Sequence, residues 1–101
     1  MAATIIFHRL ALREYDAAWR WYAQRSSWAA QRFQDEVEHS LQKIAATPDR
    51  WPMFHNRFRG LRVRRFPYVL YYHILDADHL LIMAVAHASR RPGYWLRRSR
   101  P

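Results

Sequence analysis

The sequence has no cysteine, two glycines and one lysine among its 101 residues, and each shortage excludes a class of protein. Without cysteine there is neither a disulfide framework nor a thiolate metal site. Two glycines are too few for a glycine-rich phosphate-binding loop, which excludes the common nucleotide-binding folds. No apolar run reaches the roughly 18 residues of a membrane-spanning helix. These absences direct attention to the charged and aromatic residues.

Hydrophobic residues make up 50% of the chain, which is enough to build one core at this length. We therefore predict a single domain over residues 1–101 that ends in a short basic tail at about residues 89–101. The N-terminus lacks the charged and long apolar segments of a signal peptide, so a cytoplasmic protein without membrane association is expected. The six histidines include no His-x-x-x-His pair, and we predict neither a metal nor a cofactor.

Positive charge is concentrated in the second half of the chain. Residues 1–56 carry seven basic and six acidic side chains, a net charge of +1, whereas residues 57–101 carry ten arginines against Asp76 and Asp78, a net charge of +8. This one-sided charge indicates an anionic partner, which is nucleic acid, an acidic protein segment or a phosphate-rich assembly. All 17 cations except Lys43 are arginine, which suits bidentate recognition of phosphate or carboxylate, although a GC-rich genome accounts equally well for that ratio.

The first half of the chain has a short strand pattern at residues 4–7, followed by two helical patterns. The first helix begins at about Leu10, residues 25–27 interrupt it and supply an N-cap, and the second helix ends at Thr47 before Pro48. Two amphipathic helices joined by a short turn predict an αα-hairpin that covers a sheet. Their apolar faces consist of Ala11, Tyr15, Ala18, Trp19 and Tyr22 in the first helix, and Ala30, Phe33, Val37, Leu41 and Ile44 in the second.

The second half predicts three consecutive antiparallel strands at residues 61–66, 68–75 and 79–87, after an ordered loop at residues 49–60. The predicted fold is α+β, within the broad α/β class, with the order β-α-α-β-β-β and the residue 4–7 strand joining the sheet. In the middle strand apolar and aromatic residues occupy both alternating sets, so both faces of the sheet are apolar. These sets are Tyr68, Leu70, Tyr72 and Ile74 on one face, and Val69, Tyr71, His73 and Leu75 on the other.

Because both faces of the predicted sheet are apolar, each face must pack against something that shields it from water. We expect the helices to cover one face and a partner or ligand to cover the other. Tyr94 and Trp95 are expected to fold back onto the sheet from the basic tail, whereas Arg97, Arg98 and Arg100 are expected to stay solvated.

A family resemblance rests on a set of residues spread over the chain. They are Ala18, Trp19 and Tyr22 of the first helix, Ala30, Phe33, Val37, Leu41 and Ile44 of the second, Pro48, residues 60–62, residues 68–72, residues 82–87, and Arg90 with Arg91. In order and spacing they resemble the ParE/RelE superfamily of toxins from bacterial type II toxin–antitoxin systems, also called plasmid-stabilisation proteins. The resemblance covers most of the chain. It implies an antiparallel sheet covered by a helical hairpin, and an acidic antitoxin that forms a hetero-oligomer with the toxin.

The resemblance implies one of two activities. ParE-like members inhibit DNA gyrase, and RelE-like members cut mRNA on the ribosome. Cutting RNA requires a base, cations for the developing phosphorane charge and an acid. A RelE-like site would consist of Arg62, Arg65, His87, Arg90 and Tyr94. Residues 50–75 contain neither a carboxylate nor a lysine, so the strand on which nucleolytic relatives carry a base has only arginines. A ParE-like inhibitor acting by protein contact is therefore the preferred interpretation.

The residues expected to bind the target or the antitoxin are Arg62, Arg64, Arg65, Arg90, Arg91, Trp95, Arg97 and Arg98. Ordinary structural roles remain open for several candidates. The arginines at 62–65 would protect an exposed strand from edge pairing, His87 would hydrogen-bond locally, and the tyrosines would pack the sheet. A nontoxic binding module with the same fold is the third interpretation.

Overall fold

The computed structural model describes residues 2–98, within which the chain forms two helices and five strands. In chain order the elements are β1 (Thr4–Phe7), α1 (Arg9–Ala23), α2 (Ser27–Ala46), β2 (Met53–His55), β3 (Phe58–Arg62), β4 (Tyr68–Ile74) and β5 (His79–His87).

At the N-terminus of each helix, a side chain accepts a hydrogen bond from a backbone N–H that has no partner within the helix. The His8 ring Nδ1 accepts a hydrogen bond from the Leu10 N–H at 3.0 Å, and the Ser26 hydroxyl accepts one from the Ala29 N–H at 3.3 Å. α2 ends at the residue before Thr47 because the following Pro48 has no N–H and restricts its predecessor. The predicted helical hairpin is confirmed.

The strands form one sheet in the order β1-β5-β4-β3-β2. The α+β fold is confirmed, as is the entry of β1 into the sheet. The sheet is mixed rather than wholly antiparallel, since β1 lies parallel to β5, with Thr4 opposite His79 and Phe7 opposite Ile82. The helical hairpin and strands β2–β4 separate β1 from β5 in the sequence, and this long connection permits a parallel pair. β5 is covered on both faces, which explains why residues 80–86 are all buried.

The helical hairpin covers one face of the sheet through an aromatic cluster around Phe33, which is fully buried. The Phe33 ring centre lies 5.5 Å from that of Tyr15, 5.2 Å from that of Tyr22 and 5.3 Å from that of Phe66. The prediction that Trp19 packs in this core is wrong, because its side chain is exposed. One residue is 100° around a helix, so Trp19 turns away from the stripe formed by Ala11, Tyr15, Ala18 and Tyr22.

Two strands differ from the sequence prediction. Residues 49–60 contain β2 and the beginning of β3, and β3 ends at Arg62 instead of continuing to residue 66. Val63 and Phe66 are buried by a turn, in which Val63 N–H bonds Tyr68 O at 2.9 Å and Arg65 has a φ of 70°. Arg64 and Arg65 lie in this turn and not in a strand, so the interpretation of these two as protection for an exposed edge strand is wrong. Arg62 ends β3 beyond Phe58 and Arg59, the two positions that lie opposite β2, so its role in protecting the strand edge stays a prediction.

The second face of the sheet is covered by the chain itself. Residues 88–98, here called the C-terminal segment, fold back so that Trp95 is buried against Phe58, Leu81, Met83, Ala84 and Ala86. The predicted return of Trp95 to the sheet is confirmed. The expectation that a partner or ligand covers this face is wrong for the area that Trp95 occupies.

Candidate functional site

One end of the sheet brings together most of the predicted site residues. Arg62 ends β3 and lies opposite Val69, and Val69 lies opposite Ala86, next to His87 at the end of β5. The Ala88 N–H donates to the Pro67 carbonyl at 2.7 Å, which joins the C-terminal segment to the turn before β4. Arg64 and Arg65 belong to this turn, so the turn and the C-terminal segment form one cationic end of the molecule.

Trp95 anchors the C-terminal segment by aromatic packing. Its ring stacks on Tyr71 with centres 4.7 Å apart, meets the edge of Phe58 at 5.0 Å and lies 5.6 Å from Phe54. Such pairs stabilise beyond the burial of apolar area. Trp95 is fully buried, so its predicted role as an exposed anchor for the target is wrong and its role is structural.

Glu14 of α1 binds the C-terminal segment at several points. Its Oε2 accepts hydrogen bonds from the Tyr94 hydroxyl at 2.5 Å, from Arg98 Nη2 at 2.6 Å and from Arg90 Nη1 at 3.4 Å. Its Oε1 accepts one from Arg98 Nη1 at 3.0 Å. Arg98 therefore forms a bidentate ion pair, and the expectation that it stays solvated is wrong.

The same ion pair satisfies the backbone of a β-bulge in β5. Tyr71 lies opposite Ala84 and Tyr72 opposite Ile82, so Met83 is the additional residue. The Met83 carbonyl accepts a hydrogen bond from Arg98 Nη1 at 2.8 Å, and the Val85 N–H donates to Glu14 Oε1 at 3.0 Å. Glu14 and Arg98 thereby satisfy two groups of a strand interrupted by the bulge.

Burial and hydrogen bonding act in opposite directions on Glu14. Burial by itself raises the pKa of this carboxyl, but the hydrogen bonds from Arg98, Tyr94 and the Val85 N–H, together with the Arg98 charge, outweigh it and lower the pKa. Burial, reinforced by the hydrogen bond to Glu14, raises the pKa of Tyr94. Glu14 is thus ionised and Tyr94 protonated at neutral pH, and the Tyr94 hydroxyl is already engaged as a donor.

A cleft of about 480 Å³, here called the α1 cleft, lies between α1 and this end of the sheet. Its apolar wall includes Tyr22, Tyr68 and Val85, and His87 and Arg90 also line it. The complete lining is Glu14, Ala17, Ala18, Trp21, Tyr22, Pro67, Tyr68, Val85, His87 and Arg90. The cleft thus combines aromatic rings with a histidine and an arginine.

His87 makes the local hydrogen bonds expected of a histidine at a strand end. Its Nδ1 accepts from the Ser89 N–H at 3.0 Å and pairs with the Ser89 hydroxyl at 2.8 Å. A backbone N–H only donates, so Nδ1 is unprotonated in this arrangement and the neutral ring has its proton on Nε2. The interpretation of His87 as locally hydrogen-bonded is confirmed.

The structure divides the predicted binding residues into two groups. Trp95 is buried against the sheet and Arg98 is bound by Glu14, whereas Arg90 contacts Glu14 at 3.4 Å but is 53% exposed. Five further arginines are exposed. Ion pairs within residues 2–98 involve none of these five, which are Arg62, Arg64, Arg65, Arg91 and Arg97. Arg100 lies outside the described residues.

The sequence interpretation missed Glu14, although its position gives a signal. It follows the buried Ala11 by three residues and precedes the buried Ala18 by four, so it lies on the inner stripe of α1. A carboxylate on a buried stripe requires a cation or several donors. The arginine-rich end of the chain is the obvious source of both.

The part of the chain that the structure describes contains no group of three or more His, Asp or Glu side chains arranged to hold a metal ion. Neither of its helices is long and apolar enough to cross a membrane.

Comparison with known proteins gives a family and a fold. A sequence model of the ParE toxin of the type II toxin-antitoxin system, parDE, matches residues 5–92. Among solved structures, a chain of the chromosomal ParDE TA system from P. aeruginosa superposes with a TM-score of 0.72 at 13% sequence identity, over 87% of this chain and 98% of that chain. At this identity the structural likeness shows the fold alone. No curated protein matches the chain.

Proposed function

The chain belongs to the ParE toxin family of type II toxin–antitoxin systems, and we propose that it inhibits DNA gyrase by protein contact and is neutralised by a cognate acidic antitoxin. The observation that supports this mechanism is that the two residues considered for proton transfer, Tyr94 and His87, already make hydrogen bonds within the protein. The Tyr94 hydroxyl is bound to Glu14 and His87 Nδ1 is bound to Ser89. Inhibition by contact needs no proton transfer. It needs exposed side chains on a fixed scaffold, and Arg91 and Arg97 meet this requirement.

Charge supports the antitoxin part of the proposal. The exposed arginines at the end of the sheet are not neutralised by carboxylates within residues 2–98, and ten of the 17 cations fall after residue 56. An acidic antitoxin segment that is ordered on binding neutralises this end of the molecule. The reading frame next to the gene provides a direct test, because a type II antitoxin is normally encoded there.

The gyrase mechanism is tested with purified gyrase in supercoiling and cleavage-complex assays. Arg91→Ala and Arg97→Ala are expected to weaken inhibition by about tenfold or more each, since arginines are frequent binding hot spots. Arg57→Ala is the matched control, because Arg57 is an exposed arginine before β3, at the opposite end of that strand from Arg62. His87→Ala is expected to have a mild effect.

A second candidate function is ribosome-dependent mRNA cleavage, which the presence of His87 and Arg90 in one cleft favours. In that case His87→Ala lowers the single-turnover rate of cleavage by about 10²-fold while ribosome affinity is nearly unchanged. Codon-dependent cuts that disappear in the His87 variant, without an effect on gyrase, would replace the gyrase mechanism. A protein that binds its antitoxin but affects neither target would be the nontoxic binding module.

A further inference from the structure

The last turn of α1 and the first turn of α2 each present an exposed tryptophan with an arginine over its ring. Trp21 is 50% exposed and Trp28 is 69% exposed. The Arg25 guanidinium carbon lies 3.4 Å from the Trp21 ring centre, and that of Arg32 lies 5.4 Å from the Trp28 ring centre. We call these four residues the Trp–Arg surface. Large exposed aromatic rings next to cations are typical of an interaction surface.

This part of the hairpin has charge of one sign. Residues 17–34 contain three arginines and three tryptophans but no aspartate or glutamate. The acidic residues of α2 begin immediately afterwards, with Asp35 and Glu36. The helical turns that contain Trp21 and Trp28 therefore carry cations and no carboxylate, which favours an anionic ligand at this place.

The Trp–Arg surface continues into the α1 cleft. Trp21 belongs to both, and the aromatic rings of Tyr22 and Tyr68 follow within the cleft. Arg90 and His87 line the cleft as well. Glu14 is the acidic residue in the lining, and its charge is compensated by the Arg98 ion pair. A volume of about 480 Å³ has room for a planar ring such as a nucleobase.

We propose that the Trp–Arg surface and the α1 cleft together bind single-stranded nucleic acid. Unpaired bases stack on Trp21 and Trp28, one base enters the cleft, and phosphates are bound by Arg25, Arg32 and Arg90. Proteins that bind single strands without sequence preference combine aromatic stacking platforms with cations along the backbone path. This activity goes beyond the proposed inhibition of gyrase, which requires only protein contact.

The exposed indoles favour nucleic acid over an acidic peptide. A run of carboxylates uses the arginines but has few planar groups to place against Trp21 and Trp28. A single strand uses both, because every base has a π-face and every nucleotide a phosphate. In the neutral tautomer His87 has its proton on Nε2, which makes it a further donor within the cleft lining.

The test is fluorescence anisotropy of the full chain with fluorescein-labelled oligo(dT) and oligo(rU) of about twelve nucleotides, a length within the usual site sizes for single strands, titrated over a range of salt concentration. Three phosphate contacts predict a slope of log K against log salt near about −2, from about −0.7 per contact for single strands. Arg25→Gln and Arg32→Gln are each expected to reduce this slope by about 0.7. Trp28→Ala is expected to lower affinity by about fivefold or more without changing the slope.

Two control variants are matched to these. Trp19 is also exposed but lies two residues from Trp21, which is about 200° around α1, so Trp19→Ala is expected to leave binding unchanged. Arg57→Gln removes an exposed arginine outside the proposed surface and is likewise expected to have no effect. Loss of affinity in these controls equal to that in Trp28→Ala and Arg25→Gln would refute the assignment of the site.

Three further results would overturn the proposal itself. The first is the absence of oligonucleotide binding at low salt. The second is duplex DNA bound as tightly as a single strand, because stacked pairs do not offer free bases to the indoles. The third is a polyglutamate peptide of equal charge that competes as well as the oligonucleotide, which would assign the surface to an acidic protein segment.

Discussion

Glu14 and Arg98 form a short ion pair, with Oε2 and Nη2 2.6 Å apart, across 84 positions of the sequence. Their side chains are only 15% and 12% exposed. The pair joins α1 to the C-terminal segment, and both residues also bond the backbone of the β5 bulge. Together with the packing of Trp95, it therefore fixes the positions of Arg91 and Arg97 relative to the α1 cleft, so a residue of the first helix helps to determine the surface of the C-terminal segment.

Substitution of Glu14 tests the strength of this connection. Glu14→Gln keeps the side-chain shape but leaves the mostly buried Arg98 without a counter-charge, and we expect the free energy of unfolding to fall by about 1–3 kcal/mol. In a double-mutant cycle with Arg98→Met the two losses should be less than additive. Urea unfolding measures both quantities, and Asp16→Asn, at an exposed position of the same helix, is the control. Fully additive losses would contradict the coupling.

Acid should weaken the protein through the same carboxyl. The pKa of Glu14 is lower in the folded state than its ordinary value of 4.5, so its contribution to stability is fully present above that value and is lost as the pH falls through the folded-state pKa. We expect the difference in thermal midpoint between the native protein and Glu14→Gln to be largest near pH 7 and to shrink below about pH 4. A difference that is constant from about pH 7 to about pH 3 would contradict the assignment to Glu14 ionisation.

Local patterns in the sequence are sufficient to predict the helical hairpin and three of the strands, β1, β4 and β5. Helical periodicity depends on neighbours three and four residues apart, so the spacing of Phe33 and Tyr22 within their helices already assigns both to the core. Alternation along β4 likewise places Tyr72 and Tyr71 on opposite faces of the sheet, which the structure shows to be the helix side and the side of Trp95. These features need no knowledge of distant parts of the chain.

The features that the sequence mispredicts depend on distant contacts or on turns. The apolar and basic composition of residues 61–66 favours a strand that includes Arg64 and Arg65, but Val63 and Phe66 are buried by a turn of the backbone. Arg98 has basic neighbours in the sequence, which favours a solvated side chain. It is nevertheless bound by Glu14, which is 84 positions away. Pairing at such separation is set by topology, which a local pattern does not contain.

Trp95 should determine whether the C-terminal segment stays on the sheet. Its ring is fully buried among Tyr71, Phe58 and Phe54, so Trp95→Ala is expected to reduce the free energy of unfolding by about 3–5 kcal/mol. Trp28→Ala removes an equally large but exposed ring and is expected to change it by less than about 0.5 kcal/mol. Chemical denaturation of the two variants, side by side, measures the contrast. Equal losses would mean that Trp95 is not a core residue in solution.

The rate of antitoxin binding should depend on the exposed arginines at the end of the sheet. Arg64 and Arg91 are exposed and belong to no ion pair within residues 2–98, so their charge acts over the distance of encounter with an acidic partner. Arg64→Glu and Arg91→Glu are expected to slow association by about tenfold at low salt and to flatten its salt dependence, with a smaller change in dissociation. Stopped-flow mixing with the proposed cognate antitoxin measures both rates.

The control for this experiment is Arg57→Glu, which makes the same charge change before β3, at the opposite end of that strand from Arg62. It alters net charge equally, so a purely global effect of charge slows association as much as Arg64→Glu does. If the effect is local, Arg57→Glu associates faster than Arg64→Glu or Arg91→Glu. The reason is that screening limits the reach of one charge to about 10 Å at about 0.1 M salt. An association rate of the native protein that is the same in low and high salt would contradict the proposal that these arginines steer the antitoxin electrostatically. It would mean that the antitoxin recognises apolar surface instead.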